Sequence, residues 1–411
     1  MMKKMMALLL VLVMLMAMGS VIAEDGMDDV AVMVNGEPIT AGQVIQYAEY
    51  QLMNGYTDTL DYEQAISDLT INLIANQKIR ELGLDQFTEE EKEAFRLDAQ
   101  AIWDQYVQEY VAYYLTEDTD EARAQAAQDA EAYYAAYGYS VDVLYEDILV
   151  EASYNRLYDY VLAGQDTQVT DDEVQAVFME YALADQEAFE GNVGMYETYV
   201  QYYGYESFYV PQGYRGVTHI LLQVDEDLLY TYFDLSAKLE EEGSDVTEED
   251  VANARQAVLA SRKEDIDEIY ARLANGESFE TLIAEYGMDP GMTLPEYLQD
   301  GYLVHPESLV YDPVFTAAAF SDKMVKVGDV SDPVVGSYGI HIVYYLRDVP
   351  GGIVEMTDEM ESTIREYLQS QKENEIISNT INTWVSESEI IRNEEVIASL
   401  GITDTPVTEE E

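Results

Sequence analysis

Two of the chain's three histidines lie within runs of apolar, β-branched residues that predict strands. His219 lies in Val217–Leu222, and His341 lies in Ile340–Tyr345. A histidine on a strand is usually a structural residue of the core or of a sheet edge, and that is one interpretation of each. The alternative is that the two imidazoles face each other across a sheet, where they would form a titratable pair in apolar surroundings.

The segments between the two histidines occur in a characteristic order. A helical segment ends near Asn275–Phe279, and a second covers Leu282–Gly287. The block Val327–Val334 then leads into the strand of His341. This order resembles that of parvulin-type peptidyl-prolyl isomerase domains over about Tyr214–Asp348. The resemblance implies a four-stranded antiparallel sheet surrounded by helices, and the isomerisation of X-Pro peptide bonds.

The resemblance also implies roles for particular residues. His219 and His341 correspond to the paired histidines at the pocket floor, and Asp289 occupies the third position, where its carboxylate would favour imidazolium. The residues that would grip the proline ring are Phe315, Phe320, Tyr311, Leu303 and Val304. The polar trio lacks the short spacings of known metal motifs, so no metal is expected, and no cofactor is implied.

Two positions depart from the pattern of that family. Gly336 replaces a hydroxyl residue five positions before the second histidine, and Tyr311 replaces a methionine or another apolar residue. These departures leave open a second function, in which the domain binds peptides without isomerising them. Acidic residues at 225–227 stand where parvulins specific for phosphorylated substrates carry a basic cluster. Recognition of phosphorylated substrates is therefore not expected.

The first 23 residues have the pattern of a secretory signal peptide. Lys3 and Lys4 precede an apolar run, and the small residues that end at Ala23 predict cleavage before Glu24. A retained membrane anchor is the alternative, although the run is short for a complete span. The chain has no cysteine, which excludes disulfides and a lipobox anchor. We therefore expect an extracytoplasmic location, with membrane contact only through an uncleaved signal.

The composition is strongly acidic. The 82 Asp and Glu residues outnumber the 20 Lys and Arg residues, and the formal charge is −62. Such a chain is repelled by nucleic acids and by anionic membranes. Solubility is one explanation of this charge, and attraction of basic, unfolded polypeptides is the other. With 411 residues, of which 48% are hydrophobic, the chain is long enough for two or three domains.

The region before the isomerase-like segment is predicted to be mainly helical. Val30–Val34, a turn at Asn35–Gly36 and a helix cap at Thr40 predict a strand, a turn and a helix, and a second helix covers Ile66–Leu82. This start resembles the SurA/PrsA-type extracytoplasmic foldases, whose helical chaperone part opens in the same way. Helical patterns continue from residue 88 to about 164, and the stretch 196–214 is predicted to connect two domains.

Tyrosines recur at spacings of three and four residues within this helical region. They are Tyr106, Tyr110, Tyr113, Tyr114, Tyr133, Tyr134 and Tyr137. Such a stripe is typical of packing between helices. If part of it is exposed, the alternative is a sequence-tolerant contact with unfolded chains.

These observations predict an α+β protein of four parts. They are a signal peptide (1–23), an N-terminal helical chaperone domain (24–212), a parvulin-type domain (213–349), and a C-terminal helix that returns to the chaperone domain before an acidic tail (350–411). The helical domain is then discontinuous, with the isomerase domain inserted into it. The predicted function is that of an isomerase and chaperone for exported polypeptides that contain X-Pro bonds. The alternative is a non-catalytic holdase.

Overall fold

The computed structural model describes residues 27–400, and the predicted signal peptide and acidic tail lie outside this range. The fold is α+β, as predicted, and it divides into two compact units. The described part of the first unit consists of residues 27–169 and 366–400, and the second unit consists of residues 170–365. The first unit is therefore discontinuous in sequence. Within residues 27–400, no helix is both long and apolar enough to cross a membrane.

Helices make up most of the structure. In chain order, those that residues 27–400 form are α1 Ala41–Met53, α2 Tyr62–Leu82, α3 Glu89–Tyr114, α4 Asp120–Ala136, α5 Val141–Leu162, α6 Asp171–Phe189, α7 Val193–Tyr196, α8 Glu226–Leu239, α9 Glu248–Ser261, α10 Lys263–Ala274, α11 Phe279–Tyr286, α12 Pro295–Asp300, α13 Pro313–Ala319, α14 Asp358–Glu387 and α15 Glu394–Ser399. A π-helix, Glu197–Tyr202, directly follows α7.

The strands of the described residues form three antiparallel sheets. They are β1 Val30–Val34, β2 Glu37–Thr40, β3 Tyr209–Val210, β4 Arg215–Leu222, β5 Tyr302–Val304, β6 Val334–Gly336, β7 Gly339–Asp348, β8 Gly352–Ile353 and β9 Ile390–Arg392. The sheets have the strand orders β2-β1-β9, β3-β8 and β5-β4-β7-β6.

Local signals explain where the helices of the first unit begin and end. The Thr40 and Thr88 hydroxyls accept hydrogen bonds from the backbone N–H groups of Gln43 and Glu91, so each threonine satisfies a free donor of the first turn. At the end of α2, Gly83 has a φ of 65°, a conformation that glycine adopts readily. The predicted starts at Thr40 and Thr88 are confirmed.

The C-terminal segment of the chain returns to the N-terminal segment within the first unit. Strand β9 pairs with β1, where Val32 lies opposite Arg392 and Val34 lies opposite Ile390. Trp384, near the end of α14, packs against apolar clusters of β1, α1, α2 and α5. Residues 37–40 form strand β2, whereas the sequence predicted only a turn before the helix.

In the second unit, strands β4 and β7 are the central pair of the four-stranded sheet. His219 pairs with Val343, and Leu221 pairs with His341. Residues opposite each other, and residues two apart on one strand, share a face of a sheet. The two histidines are therefore diagonal neighbours on the same face. The strand register brings together two residues that are 122 positions apart in sequence.

The two faces of this sheet pack against different helices. On one face, Ile220 and Ile342 are buried against α9, α10 and α11. On the histidine face, Val217 and Val343 are buried against α13. The apolar residues alternate between these two cores, as expected for a sheet that is covered on both faces.

The stretch 196–214 is part of the second unit. The π-helix and strand β3 lie within it, and β3 pairs with β8 through Tyr209 and Val210. The unit begins at Thr170, which caps α6, whereas the sequence prediction placed a domain boundary at residue 213. This compact unit therefore starts 43 residues before the predicted limit at residue 213. The pairing of β3 with β8 joins residues 209–210 to residues 352–353 within this unit, and strands this short carry little sequence signal.

Candidate active site

A cleft of about 940 Å³ opens on the histidine face of the four-stranded sheet. It lies entirely within the second unit. Strands β4 and β7 supply His219 and His341, the loop after α11 supplies Asp289, and α13 supplies Phe315. A cleft that combines apolar walls with a few convergent polar groups is typical of a binding or catalytic site.

A continuous hydrogen-bond network joins the two histidines to Asp289. The Nδ1 atoms of His219 and His341 are 3.1 Å apart. On the other side of its ring, His219 Nε2 lies 2.5 Å from Asp289 Oδ2. Both histidines are only 4% exposed, so the network is held by buried strands. The three residues that the resemblance assigned to the polar centre thus lie together.

Asp289 is held in its ionised form. Burial alone would raise its pKa, but the hydrogen bond and charge of His219 outweigh burial and lower the pKa to about 2. The Tyr302 hydroxyl donates to Oδ2 at 2.9 Å, and the Gly291 backbone N–H donates to Oδ1 at 3.0 Å. Tyr302 was not predicted as a site residue, because no sequence pattern links it to Asp289.

His341 is held in its neutral form. Burial lowers its pKa to about 4, and the charge of His219 acts in the same direction, while Asp312 and Asp289 oppose it. Because ionised Asp289 accepts the Nε2–H of His219, only one proton can lie between the two Nδ1 atoms. When both rings are neutral, that proton belongs to His341 Nδ1. His341 Nε2 then carries a lone pair, and it has no hydrogen-bond partner among residues 27–400.

Gly336 explains how His341 fits at this position. A Cβ atom there would lie 2.8 Å from His341 Nε2 and 2.9 Å from Asp312 Oδ2. Asp312 itself caps α13 through the Val314 N–H at 2.8 Å and accepts the Ser337 N–H at 2.7 Å. The glycine at this departure from the family pattern therefore leaves the space that the imidazole and the carboxylate occupy.

Phe315 forms the apolar wall next to the imidazole pair. Its ring centroid lies 5.0 Å from that of His219 and 5.5 Å from that of His341. Tyr311 continues this wall at 5.8 Å from Phe315, and Tyr302 lies 5.7 Å from Tyr311. The Asp312 cap and Pro313 at the first position of α13 fix where Phe315 projects.

The other predicted wall residues are placed differently. Leu303 lines the cleft, whereas Val304 is fully buried in the core beneath it. These neighbours on β5 point to opposite sides, as adjacent residues of a strand do. Phe320 lies outside the cleft, where its ring stacks under the Arg215 guanidinium at 4.5 Å. Phe320 follows the last residue of α13, so it does not continue the helical face that carries Phe315.

The π-helix contributes a wall of the cleft that the sequence did not predict. Gln201 Oε1 accepts a hydrogen bond from the Tyr311 hydroxyl at 3.2 Å, and Gln201 Nε2 donates to the Leu303 carbonyl at 3.4 Å. One turn earlier, fully buried Glu197 accepts the Leu309 N–H at 2.9 Å. These bonds tie the loop before α13 to the π-helix. π-Helical turns are rare and occur frequently at functional sites.

Carboxylates dominate the charged lining of the cleft. Asp289, Asp312, Glu296 and Asp300 face a single cation, Arg347, whose Nε donates to the Asp300 carbonyl at 2.8 Å. Within the described residues, no group of three or more His, Asp or Glu side chains is arranged to hold a metal ion. The cleft therefore offers a polar network and aromatic walls in an acidic setting.

Residues 219–347 match the family model described as rotamase, the PPIC-type PPIase domain. The match begins at His219 on β4 and ends at Arg347 on β7, so it encloses the network and the aromatic wall. The π-helix lies outside it. The match covers the segment that carries the cleft, and the chain is similar to a peptidyl-prolyl isomerase domain there.

Two relatives named foldase protein PrsA extend this similarity. The protein from Caldanaerobacter subterraneus subsp. tengcongensis is 34% identical over 146 residues, which are 34% of this chain and 42% of that protein. The protein from Oceanobacillus iheyensis is 25% identical over 261 residues, which are 62% of this chain and 80% of that protein. The chain thus spans less than half of the first relative and four fifths of the second.

Two solved structures with related names match the chain at low sequence identity. A SurA-like chaperone of Campylobacter jejuni is 12% identical with a TM-score of 0.33, and the alignment covers 89% of this chain and 98% of that chain. PrsA from Bacillus subtilis is 16% identical with a TM-score of 0.21, at 92% and 100% coverage.

Proposed function

We propose that the protein is an extracytoplasmic foldase, whose cleft isomerises X-Pro bonds of unfolded, exported polypeptides. The observation that carries the proposal is the His219–His341–Asp289 network beside Phe315, inside the segment that matches the PPIC-type PPIase domain. The foldase relatives and the signal-like residues 1–23 support the client class and the location. The domain limits 24–212, 213–349 and 350–411 are part of this proposal.

The reaction requires no covalent chemistry. Rotation about a peptide bond is slow because it breaks C–N resonance, with a barrier of about 18–20 kcal/mol. X-Pro bonds populate both isomers and interconvert over tens to hundreds of seconds without a catalyst. A site accelerates rotation when it binds the twisted imide more tightly than either planar form. The aromatic wall of Phe315 and Tyr311 suits the proline ring, which leaves the preceding carbonyl near the polar floor.

The histidine network supplies a fixed electrostatic floor for that rotation. Ionised Asp289 orients His219, and His219 orients neutral His341 through the Nδ1–Nδ1 contact. In the twisted imide the nitrogen is pyramidal and no longer conjugated, so the charge on the carbonyl oxygen and on nitrogen changes during rotation. Dipoles that are already oriented stabilise such a change without reorganising. We assign His219, His341 and Asp289 this role, and we assign none of them a covalent step.

The alternative is a holdase whose parvulin-like domain binds peptides without isomerising them. Its support came from Gly336 and Tyr311. Gly336 leaves room for His341, and Tyr311 extends the aromatic wall, so neither residue blocks the cleft. No observation on residues 27–400 favours the alternative over catalysis.

The test is the cis-to-trans rate of a proline-containing tetrapeptide with the purified protein. Phe315→Ala removes a ring that lines the cleft, and Phe320→Ala is a matched control because its ring lies outside the cleft. We expect the parent protein and the Phe320 variant to accelerate isomerisation, and the Phe315 variant to lose about tenfold or more of that acceleration. Circular dichroism must show that both variants are folded.

Two results would reject the proposal. If the parent protein gives no acceleration, the holdase alternative replaces it, and aggregation assays would follow. If both phenylalanine variants accelerate like the parent, the active site lies elsewhere.

A further inference from the structure

Seven tyrosines of the first unit form a continuous cluster of rings on helix α3, on helix α4 and at the residue that follows α4. We call this cluster the tyrosine patch, and its members are Tyr106, Tyr110, Tyr113, Tyr114, Tyr133, Tyr134 and Tyr137. Each ring contacts at least one other ring of the patch. The closest pair is Tyr110 and Tyr114, with centroids 4.5 Å apart, and Tyr133 bridges the helices at 5.3 Å from Tyr110.

Only one side of the tyrosine patch is used for packing. Tyr106 and Tyr134 pack against the buried cluster around Trp103. The opposite side is open, because Tyr113 is 79% exposed and Tyr137 is 63% exposed. Tyr114 and Tyr133 are less exposed, at 55% and 43%. Isolated exposed aromatic residues are common, but a contiguous group of them marks an interaction surface.

The segment that carries the tyrosine patch is strongly acidic. Residues 104–137 contain eight carboxylates, which are Asp104, Glu109, Glu117, Asp118, Asp120, Glu121, Asp129 and Glu131. Their only cation is Arg123, whose Nε donates to Asp118 at 2.7 Å. This segment therefore has excess negative charge that a basic partner would complement.

The exposed tyrosine rings and the acidic segment that carries them favour the same kind of partner. Lysine and arginine are attracted by the negative face of a tyrosine ring, and they pair with carboxylates at its edge. Tyrosine also contacts apolar groups without demanding one geometry, because its rigid ring has an apolar body and a polar end. A second copy of this chain would bring the same negative charge and would be repelled.

We propose that the tyrosine patch binds Lys- and Arg-containing segments of unfolded polypeptides. The surface would hold such segments independently of proline, while the cleft acts on X-Pro bonds. This inference rests on the proposed foldase function for the choice of an unfolded client. It also gives the acidic composition of the chain a role in client selection.

The experiment measures binding of three labelled peptides that lack proline. One unstructured peptide of about 20 residues combines Lys, Ser and Leu, and in its twins every Lys is replaced by Glu or by Gln. The proteins are the parent, a double variant Tyr113→Ser with Tyr137→Ser, and the control Tyr230→Ser. Tyr230 is 72% exposed, like the patch residues, but it lies on α8 of the second unit.

We expect the Lys peptide to bind the parent about tenfold more tightly than the Glu or Gln twins, with an affinity that falls as salt is added. The double variant should bind the Lys peptide at least about fivefold more weakly than the parent, and Tyr230→Ser should not change the affinity. Because no peptide contains proline, loss of binding is independent of the isomerase assay. Failure of isomerisation with intact, tyrosine-dependent binding would reject only the catalytic proposal.

Three results would overturn the inference. They are equal binding of the Lys and Glu peptides, binding by the double variant that equals that of the parent, and the absence of measurable binding to any peptide. Sedimentation of the parent and double variant is the remaining check. A parent that self-associates, beside a double variant that does not, would also overturn the inference, because the patch would then be an interface between copies.

Discussion

The cleft and the tyrosine patch use the same type of side chain in opposite ways. In the cleft, the Tyr302 and Tyr311 hydroxyls donate to Asp289 and Gln201, and the rings are fixed by these bonds and by packing. In the patch, Tyr113 and Tyr137 are mostly exposed, and each ring contacts another tyrosine ring. A rotating imide needs fixed dipoles, whereas an unfolded chain needs a surface that tolerates many sequences. Changes in the cleft should therefore cost stability and catalysis, and changes in the patch should cost only binding.

The largest effect is expected at His341, which should make the free energy of unfolding depend on pH. Its pKa falls from 6.5 in the unfolded chain to about 4 in the folded protein, so the unfolded state binds more protons between these values. Acidification from pH 6.5 to 4 should lower the free energy of unfolding by about 3 kcal/mol through this group. Above pH 6.5 the contribution vanishes, because both states are neutral.

Urea unfolding of the parent and of His341→Gln at several pH values isolates this contribution. The difference in the free energy of unfolding between the two proteins should change most between pH 6.5 and 4. A difference that is constant over this range would contradict the assignment of a buried, neutral His341.

The next effect is expected at Gly336. Gly336→Ala places a methyl group within 3 Å of both His341 Nε2 and Asp312 Oδ2, and both neighbours are held by strands or by a helix cap. Overpacking of this kind lowers the free energy of unfolding by about 2 kcal/mol. Thermal unfolding should show the loss, and the tetrapeptide assay should show reduced catalysis. A stable and fully active alanine variant would mean that the network tolerates displacement. That result would contradict the contrast between a fixed cleft and a tolerant patch.

Tyr302→Phe should have a smaller effect that is visible in the pH profile. The change removes the hydroxyl that donates to Asp289 and keeps the ring. It should lower the free energy of unfolding by about 1.5 kcal/mol. Loss of this donor raises the pKa of Asp289 from about 2, so the acid limb of kcat/KM should move to higher pH. Tyr297→Phe is the control, since Tyr297 lies 4.9 Å from the Tyr302 ring but makes no such bond to Asp289. Identical profiles for both variants would argue against this role.

Gln201→Ala should change substrate binding more than the chemical step. Gln201 contacts Tyr311 and the Leu303 carbonyl, which form the wall, and it does not contact the histidines. Loss of these two bonds should cost about 1 kcal/mol, or roughly a fivefold rise in KM with little change in kcat. Gln223→Ala, at an exposed position that does not line the cleft, should leave both constants unchanged. A fall in kcat alone would place Gln201 with the reacting groups.

The smallest effect on stability is expected in the tyrosine patch. Tyr113→Ser should change the free energy of unfolding by less than about 0.5 kcal/mol, because the ring is largely exposed. Chemical unfolding of this variant beside Gly336→Ala compares the two regions directly. A large loss of stability at Tyr113 would show that the patch is a structural element of the helix pair.

Much of this organisation follows from local sequence signals. Thr40, Thr88 and Thr170 mark helix starts because their hydroxyls satisfy backbone donors of the next turn. The two histidine strands are predicted by β-branched runs, which favour extended backbone. The α+β class with a four-stranded antiparallel sheet is confirmed, and it came from the resemblance rather than from composition.

The remaining features depend on contacts between distant parts of the chain. Strand β9 has three exposed residues, and only its pairing with β1 defines it. Gln201 belongs to the site because its amide reaches Tyr311, which is 110 residues away. Phe320 follows the end of α13, so its distance from the cleft depends on where that helix stops. Short elements and long-range hydrogen bonds leave little local pattern, which explains why the sequence did not predict them.

The most direct test of the account is the refolding of a denatured, lysine-rich protein whose slow phase is limited by proline isomerisation. The rate of the slow phase and the yield of soluble product are measured with the parent, with Phe315→Ala and with the Tyr113→Ser, Tyr137→Ser double variant. We predict that Phe315→Ala loses the acceleration but keeps the yield, and that the double variant loses yield but keeps the acceleration. Simultaneous loss of rate and yield in both variants would contradict the separation of the cleft from the tyrosine patch.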